Sequence, residues 1–379
     1  MKIPRRGLLA SFLLATAAKA TSPSPVQAIA AGIDAIPAGP ALLQSYPTPA
    51  APPALRNVAF VYDNALALIA LQAAGYRAQA SRIGDALLIA LDHDRFWHDG
   101  RLRNAYRAGA MATPAPLPGF WNPTAKLWSE DAYQVGSASG NVAWAALALF
   151  HLAPRDPRFG DAARRLVAWL GGPAWNQGVI GGFFGEEPNP IRQNWHSTEQ
   201  NIDAAVAMRA AGDPRATICR NFVAGQFDPA RGCFNIGSGG GATALDANLW
   251  PLLAFPDAPP AWRRALGWVR GHFQVEGGLG YRENPDGMWT EGTAQGALTF
   301  ALAGDHAMAK KLFATLATMA GPGGYLYAAR HEIRTGLAIG PTSTTDDFRY
   351  FPLPHLGATA WAALAISNAN PFLIETNWS

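Results

Sequence analysis

The 379-residue sequence is short of the residues that build redox, metal and nucleotide sites. It has two cysteines, Cys219 and Cys233, and eight histidines scattered along the chain. Neither CxxC nor HExxH occurs, so a zinc centre has little support, and no metal or other cofactor is expected. The glycine-dense stretch Gly237–Gly241 lacks the lysine of a phosphate-binding loop, and no GxSxG elbow of a serine esterase is present. Charged residues make up only 15% of the chain, and no Lys/Arg cluster is interleaved with aromatics, which argues against a nucleic-acid partner. Beyond the leader no apolar stretch reaches the roughly 18 residues needed to span a bilayer. The nearest, Val142–Ala153, stops too early, so no stable membrane insertion is expected.

The start of the chain reads as an export leader. Lys2, Arg5 and Arg6 precede the apolar run Gly7–Ala18, and Ala18-Lys19-Ala20 suits a cleavage site. Val26-Gln27-Ala28 is a second candidate. The arginine pair fits a twin-arginine signal as well as a Sec signal. The expected layout is therefore a signal over residues 1–20 (up to 28 with the later site), an N-terminal segment over 21–56, and one domain over 57–373. The destination is periplasmic or extracellular. The formal charge of +3 is an effect of the leader: without its four basic residues, 26 cations face 27 anions. In an exported chain Cys219 and Cys233 form either one disulfide or two buried thiols.

Tryptophan, in contrast, is abundant, with 13 residues. Trp97, Trp121, Trp128, Trp175, Trp195 and Trp289 sit in polar, loop-like surroundings rather than in apolar runs. Six times a short acidic, amide or Gly/Ser/Thr cluster opens a helix rich in alanine and leucine. These runs are Ala65–Ala73, Val142–Ala153, Ile202–Ala211, Leu249–Ala254, Ala294–Ala303 and Ala360–Ile366. A helix that is apolar on every side is buried. Between these runs lie amphipathic segments, Arg77–Leu91, Arg158–Leu170, Pro214–Gln226, Pro260–Phe273 and His306–Met319. Asp156-Pro157, Asp213-Pro214 and Ala258-Pro259-Pro260 mark helix starts. The N-terminal segment is the candidate for a sixth outer helix, and Gly277–Asp286 and Gly323–Ala338 are candidates for short hairpins. The pattern is an internal repeat of helix pairs.

Six helix pairs with polar, aromatic-rich entries, in segments such as TEQNID and WTEGTAQGAL, resemble the (α/α)6 barrel of the six-hairpin glycosidase superfamily. The resemblance covers roughly residues 57–370. It implies an all-α toroid of alternating inner and outer helices. It also implies an enzyme acting on a polysaccharide or oligosaccharide, most often an inverting glycoside hydrolase, and the protein is expected to be monomeric.

Glycoside hydrolysis needs two carboxyls, one to protonate the leaving oxygen and one to activate water or attack. First turns of inner helices suit both, because they converge on one cavity whose apolar walls raise a carboxyl pKa. Glu291, Glu199 and Asp63 are the expected catalytic residues. Asp203, four residues after Glu199, shares its face one turn deeper. Asp131 is expected to meet a sugar hydroxyl, and Asp246 reads as a cap. Trp121, Trp128, Trp195, Trp289 and Tyr133 are the expected stacking platforms, with Tyr62 and His196 adding hydrogen bonds. Each also has a plainer reading, as a helix cap or a packed core residue.

Three alternatives compete. A uronate lyase would recruit Tyr62, Tyr133 or a histidine (His196, His331, His355) with Arg192 or Arg330, and a sugar epimerase would use His196 with His355. A non-catalytic saccharide-binding envelope protein would need the aromatics alone. A terpenoid-cyclase toroid is suggested faintly by Gln274–Trp289, but Thr344-Thr345-Asp346-Asp347 lacks the first acid of that fold's run.

Overall fold

The computed structural model describes residues 23–172, 177–343 and 348–374. The leader, Trp175 and Thr344-Thr345-Asp346-Asp347 fall outside them. Thirteen helices dominate the described residues, and strands are two or three residues long. In chain order the helices are α1 (Pro25–Asp34), α2 (Val61–Ala73), α3 (Arg77–Asp92), α4 (Ala132–Val135), α5 (Ser139–Leu152), α6 (Pro157–Leu170) and α7 (Thr198–Ala210). Then follow α8 (Ala216–Gly225), α9 (Leu245–Ala254), α10 (Arg264–His272), α11 (Thr290–Leu302), α12 (His306–Ala317) and α13 (Leu356–Ile366).

The expected toroid is present. Helices α2, α5, α7, α9, α11 and α13 pack side by side, and α13 returns to α2 to close the ring. Helices α3, α6, α8, α10 and α12 each pack outside the inner helix that precedes them. Helix α1, from the N-terminal segment, lies against α13, α2 and α3 and fills the sixth outer place. The outer helices are amphipathic: α6 buries Phe159, Ala163, Leu166 and Leu170 and leaves Arg164 and Arg165 outside.

Every inner helix begins three or four residues before its apolar run. The polar clusters are thus the first helical turns themselves, not linkers in front of them. The fourth residue of five inner helices is a clamp. Asn64 accepts from Leu43 N–H at 2.8 Å and donates to Leu43 C=O at 3.0 Å. Asn201 does the same with Val179, and Asn248 with Phe234. Thr293 accepts from Leu279 N–H, and Thr359 from Leu326 N–H. Each of these five side chains also donates to the carbonyl four residues back in its own chain. In α5 the corresponding residue is Val142, which has no such chemistry. Buried backbone groups need partners, and these clamps supply them where each entry loop meets its helix.

The expected hairpins differ in detail. Gln274–Val275 pairs with Gly278–Leu279, whereas Ile333–Arg334 pairs with the distant Arg349–Tyr350. Cys219 and Cys233 are separate buried thiols, which settles the choice left open by the sequence. Arg103 is fully buried and ties loops together through Asp94 at 2.6 Å and Glu187 at 2.9 Å. No helix among the described residues is long and apolar enough to cross a membrane.

Candidate functional site

Because each inner helix starts at the same level, residues of equal rank meet in layers. The second residues are Tyr62, Gly140, Glu199, Asp246, Glu291 and Gly357. The sixth residues, one turn below on the same face, are Leu66, Trp144, Asp203, Trp250, Gln295 and Trp361. Trp144, Trp250 and Trp361 meet in the middle with ring centroids 5.5–5.9 Å apart. Phe372 closes this aromatic floor, 5.1 Å from Trp144 and 5.6 Å from Trp250.

Glu291 and Asp63 form one side of the upper layer. The Tyr62 hydroxyl donates to Glu291 Oε1 at 2.6 Å and accepts from Trp361 Nε1 at 2.9 Å. Gln295 Nε2 donates to the same carboxyl oxygen at 3.4 Å. A Cβ on Gly357 would lie 2.6 Å from Asp63 Oδ1 and 2.9 Å from Glu291 Oε2, so the two carboxyls flank that glycine. Their separation is at most the sum of those distances. Burial, with Asp63 and Asp246 nearby, pushes the Glu291 carboxyl up to about 8, against the pull of His355 and Tyr62.

His355, the residue before α13, joins this pair. Its Nδ1 accepts from Ala358 N–H at 3.2 Å, and its Nε2 lies 3.5 Å from Asp63 Oδ2. The backbone bond fixes the proton on Nε2, toward Asp63. Burial pulls the imidazole down, but Asp63 and Glu291 outweigh it and hold His355 above its ordinary value.

Glu199, Asp203 and Asp246 form the other side. Asp203 is fully buried, and neither of its carboxyl oxygens has a hydrogen-bond partner among the described residues. Burial first, then Glu199 and Asp246, drive Asp203 well above the carboxylate range. Asp246 is not the cap expected of it. It is the second residue of α9, its Oδ1 accepts from Ala247 N–H at 2.6 Å, and burial raises it to about 7. Glu199 is raised as well, by burial and by Asp246 and Glu291. Unlike the other four acids it keeps solvent contact, as do Tyr62, Asn141 and Gln200. Ser197 caps α7 through Gln200 N–H, so the capping reading of that cluster holds for Ser197 and not for Glu199.

Other expected residues are placed as follows. Tyr133 faces the cavity, its hydroxyl raised to about 12 by burial and by Glu199 and Asp63, against the pull of Asn141. Asp131 caps α4, accepting from Tyr133 and Gln134 N–H. Trp289 is only 2% exposed, with its ring against Tyr281 and Tyr350. Trp121 and Trp128 are 57% and 59% exposed and stand directly opposite each other in a hairpin. Trp195 is also exposed, bonding Gln193 through Nε1. His196 is turned away, with Nδ1 3.1 Å or less from a backbone carbonyl (2.9 Å to Val179 O) and its ring against Phe222 of the outer helix α8.

Sequence reasoning weighed His355 only for other chemistries and overlooked Tyr46, Tyr281 and Tyr350. All three tyrosines feel the site carboxyls, and the Tyr46 ring lies 4.6 Å from that of His355. The one available signal was the polar residue just ahead of the last apolar run. Among the described residues no His/Cys/Asp/Glu group is arranged to hold a metal ion. Two clefts between outer helices, one beside Asp85 and Arg158 and one beside Arg231 and Trp268, lie away from these carboxyls.

No protein-family profile and no curated protein matches the chain. Solved structures do match in fold. A wild-type glycosidase is 15% identical with a TM-score of 0.60, covering 92% of this chain and 96% of its own. The cellobiose 2-epimerase of Bacillus thermoamylovorans B4167 is 12% identical with a TM-score of 0.59, covering 86% and 92%. A GH76 α-mannanase of Bacteroides thetaiotaomicron is 10% identical with a TM-score of 0.53, covering 92% and 95%. The chain thus shares the (α/α)6 barrel fold of the six-hairpin glycosidases.

Proposed function

We propose that the protein is an exported, monomeric glycoside hydrolase of the inverting type acting on a polysaccharide or oligosaccharide. The observation that carries this reading is the division of the carboxyls between two sides of one cavity. Glu199 on α7 is the member that solvent, and so a glycosidic oxygen, can reach, and its surroundings keep it protonated. It serves as the proton donor. Asp63 and Glu291, across the ring, have one cation, His355, and share protons as a coupled pair. That pair activates water, with Asp63 ionised against His355. Tyr62 and Gln295 hold Glu291, and the exposed tryptophans at the loops extend the surface toward a longer chain. Relatives in fold include a glycosidase variant in complex with glucose, 17% identical with a TM-score of 0.58 and covering 91% of this chain and 96% of its own, which agrees with a saccharide ligand.

Epimerisation by a pair of histidines is the weaker reading. His196 leans on Phe222 of an outer helix, whereas His355 meets Asp63 inside. A reducing-sugar screen across glucans, xylans, mannans and uronans tests the proposal. On the substrate found, Glu199→Gln, Glu291→Gln and Asp63→Asn should each lower kcat by about 100- to 10,000-fold, the range for proton-transfer groups, with circular dichroism unchanged. Full activity in both glutamate variants would sink the assignment, and an isomerised sugar without cleavage would favour the epimerase.

A further inference from the structure

The cavity acids are not matched by cations. Asp63, Glu199, Asp203, Asp246 and Glu291 lie on four helices, and the positive group within their reach is His355, already engaged with Asp63 at 3.5 Å. The arginines of the surrounding loops are committed elsewhere. Arg103 is held by Asp94 and Glu187, Arg330 by Thr318 and Glu276, and Arg349 by Glu332. Residues 173–176 and 344–347, outside the described part, contain no lysine or arginine.

A second, independent observation concerns partners. Both carboxyl oxygens of Asp203, Oε2 of Glu291 and Oδ2 of Asp63 are buried without a hydrogen-bond partner among the described residues. These atoms can be satisfied by donors. Hydroxyls and ammonium groups bring protons to such a wall, whereas a sugar carboxylate or sulfate brings only acceptors and a like charge. Charges in a partly desolvated cavity interact more strongly than in water. The remaining titratable groups facing the cavity, Tyr46, Tyr62, Tyr133, Tyr281 and Tyr350, stay neutral and leave this balance unchanged.

We propose that the cavity takes a saccharide free of carboxylate and sulfate groups, and that a protonated sugar amine binds more tightly than a hydroxyl in its place. The inference rests on the cavity being a saccharide site. It excludes uronans as substrates and points to neutral or amine-bearing glycans.

Calorimetric titration of the intact protein at pH 6.5 with glucosamine, glucose and glucuronate tests it. Glucosamine should bind at least about tenfold more tightly than glucuronate, with glucose between them. Asp246→Asn should narrow the gap between glucosamine and glucose severalfold while circular dichroism stays the same. Glucuronate binding as tightly as glucose overturns the inference, as does an unchanged gap in Asp246→Asn or failure of all three sugars to bind. Glu199-dependent cleavage of a uronan overturns it too, while upholding the hydrolase. Ordered binding of the three sugars with no cleavage of any glycan does the reverse.

Discussion

Glu291 holds a proton that the unfolded chain would lose. Its carboxyl rises to about 8 in the folded protein, and that of Asp246 to about 7. In an unfolded chain both titrate near pH 4. Between about pH 4 and 8 the native state therefore binds more protons than the unfolded state, and stability falls as pH rises through that window. Thermal melts should show a falling Tm from pH 5 to 8. Glu291→Gln should flatten the fall without abolishing it, because Asp246 still contributes, and should melt above wild type at pH 8. A wild-type Tm that does not decline over this range would contradict the placement of these carboxyls. At this scale the sequence was readable only in part. Asp63, Glu199, Asp203 and Glu291 stood out as acids heading apolar helices. Asp246 and His355 looked like ordinary caps, since a first-turn residue at a surface and one at a cavity have the same neighbours in the chain. Trp289 misled in the other direction: its polar sequence neighbours line a cavity wall rather than the solvent.

The inner helix is the unit that makes the site. Its second residue points at the ligand, its fourth clamps the entry loop, and its sixth builds the floor. Removing a clamp isolates the middle role. Asn248→Ala leaves the N–H and C=O of buried Phe234 without the side chain that satisfied both. The expected cost is about 2–3 kcal/mol for unsatisfied buried groups, read by denaturant unfolding. Hydrogen exchange should rise at Phe234 and stay as in wild type at Leu43, whose clamp on α2 is intact. The apolar runs revealed these helices, but their true starts were hidden, because a polar first turn resembles a loop until its spacing is compared across all six. Pro251 inside α9 hid that helix further, since proline ordinarily ends one.

At the scale of the whole molecule the two ends of the described chain finish the ring. Helix α1 covers α13, and Phe372 seals the aromatic floor, fully buried under Trp144 and Trp250. Asn370 fixes this tail to Leu253 O, and His151 meets Pro371 O. Phe372→Ala should destabilise the protein by about 3–5 kcal/mol, the usual cost of emptying a buried aromatic position, seen as a lower unfolding midpoint. A midpoint within error of wild type would mean that the floor does not depend on the plug. The alternation of helix types made the toroid legible from sequence, whereas a lone phenylalanine near the terminus carries no pattern to read. The ring of second residues spells a six-letter word, Tyr-Gly-Glu-Asp-Glu-Gly, in the order of the helices. Since clamps and floor occupy other ranks, mutation can rewrite that word one letter at a time while the scaffold keeps its shape. A barrel built this way inherits its architecture and its chemistry through separate positions, so lineages can diverge in what they cut while remaining superimposable in form.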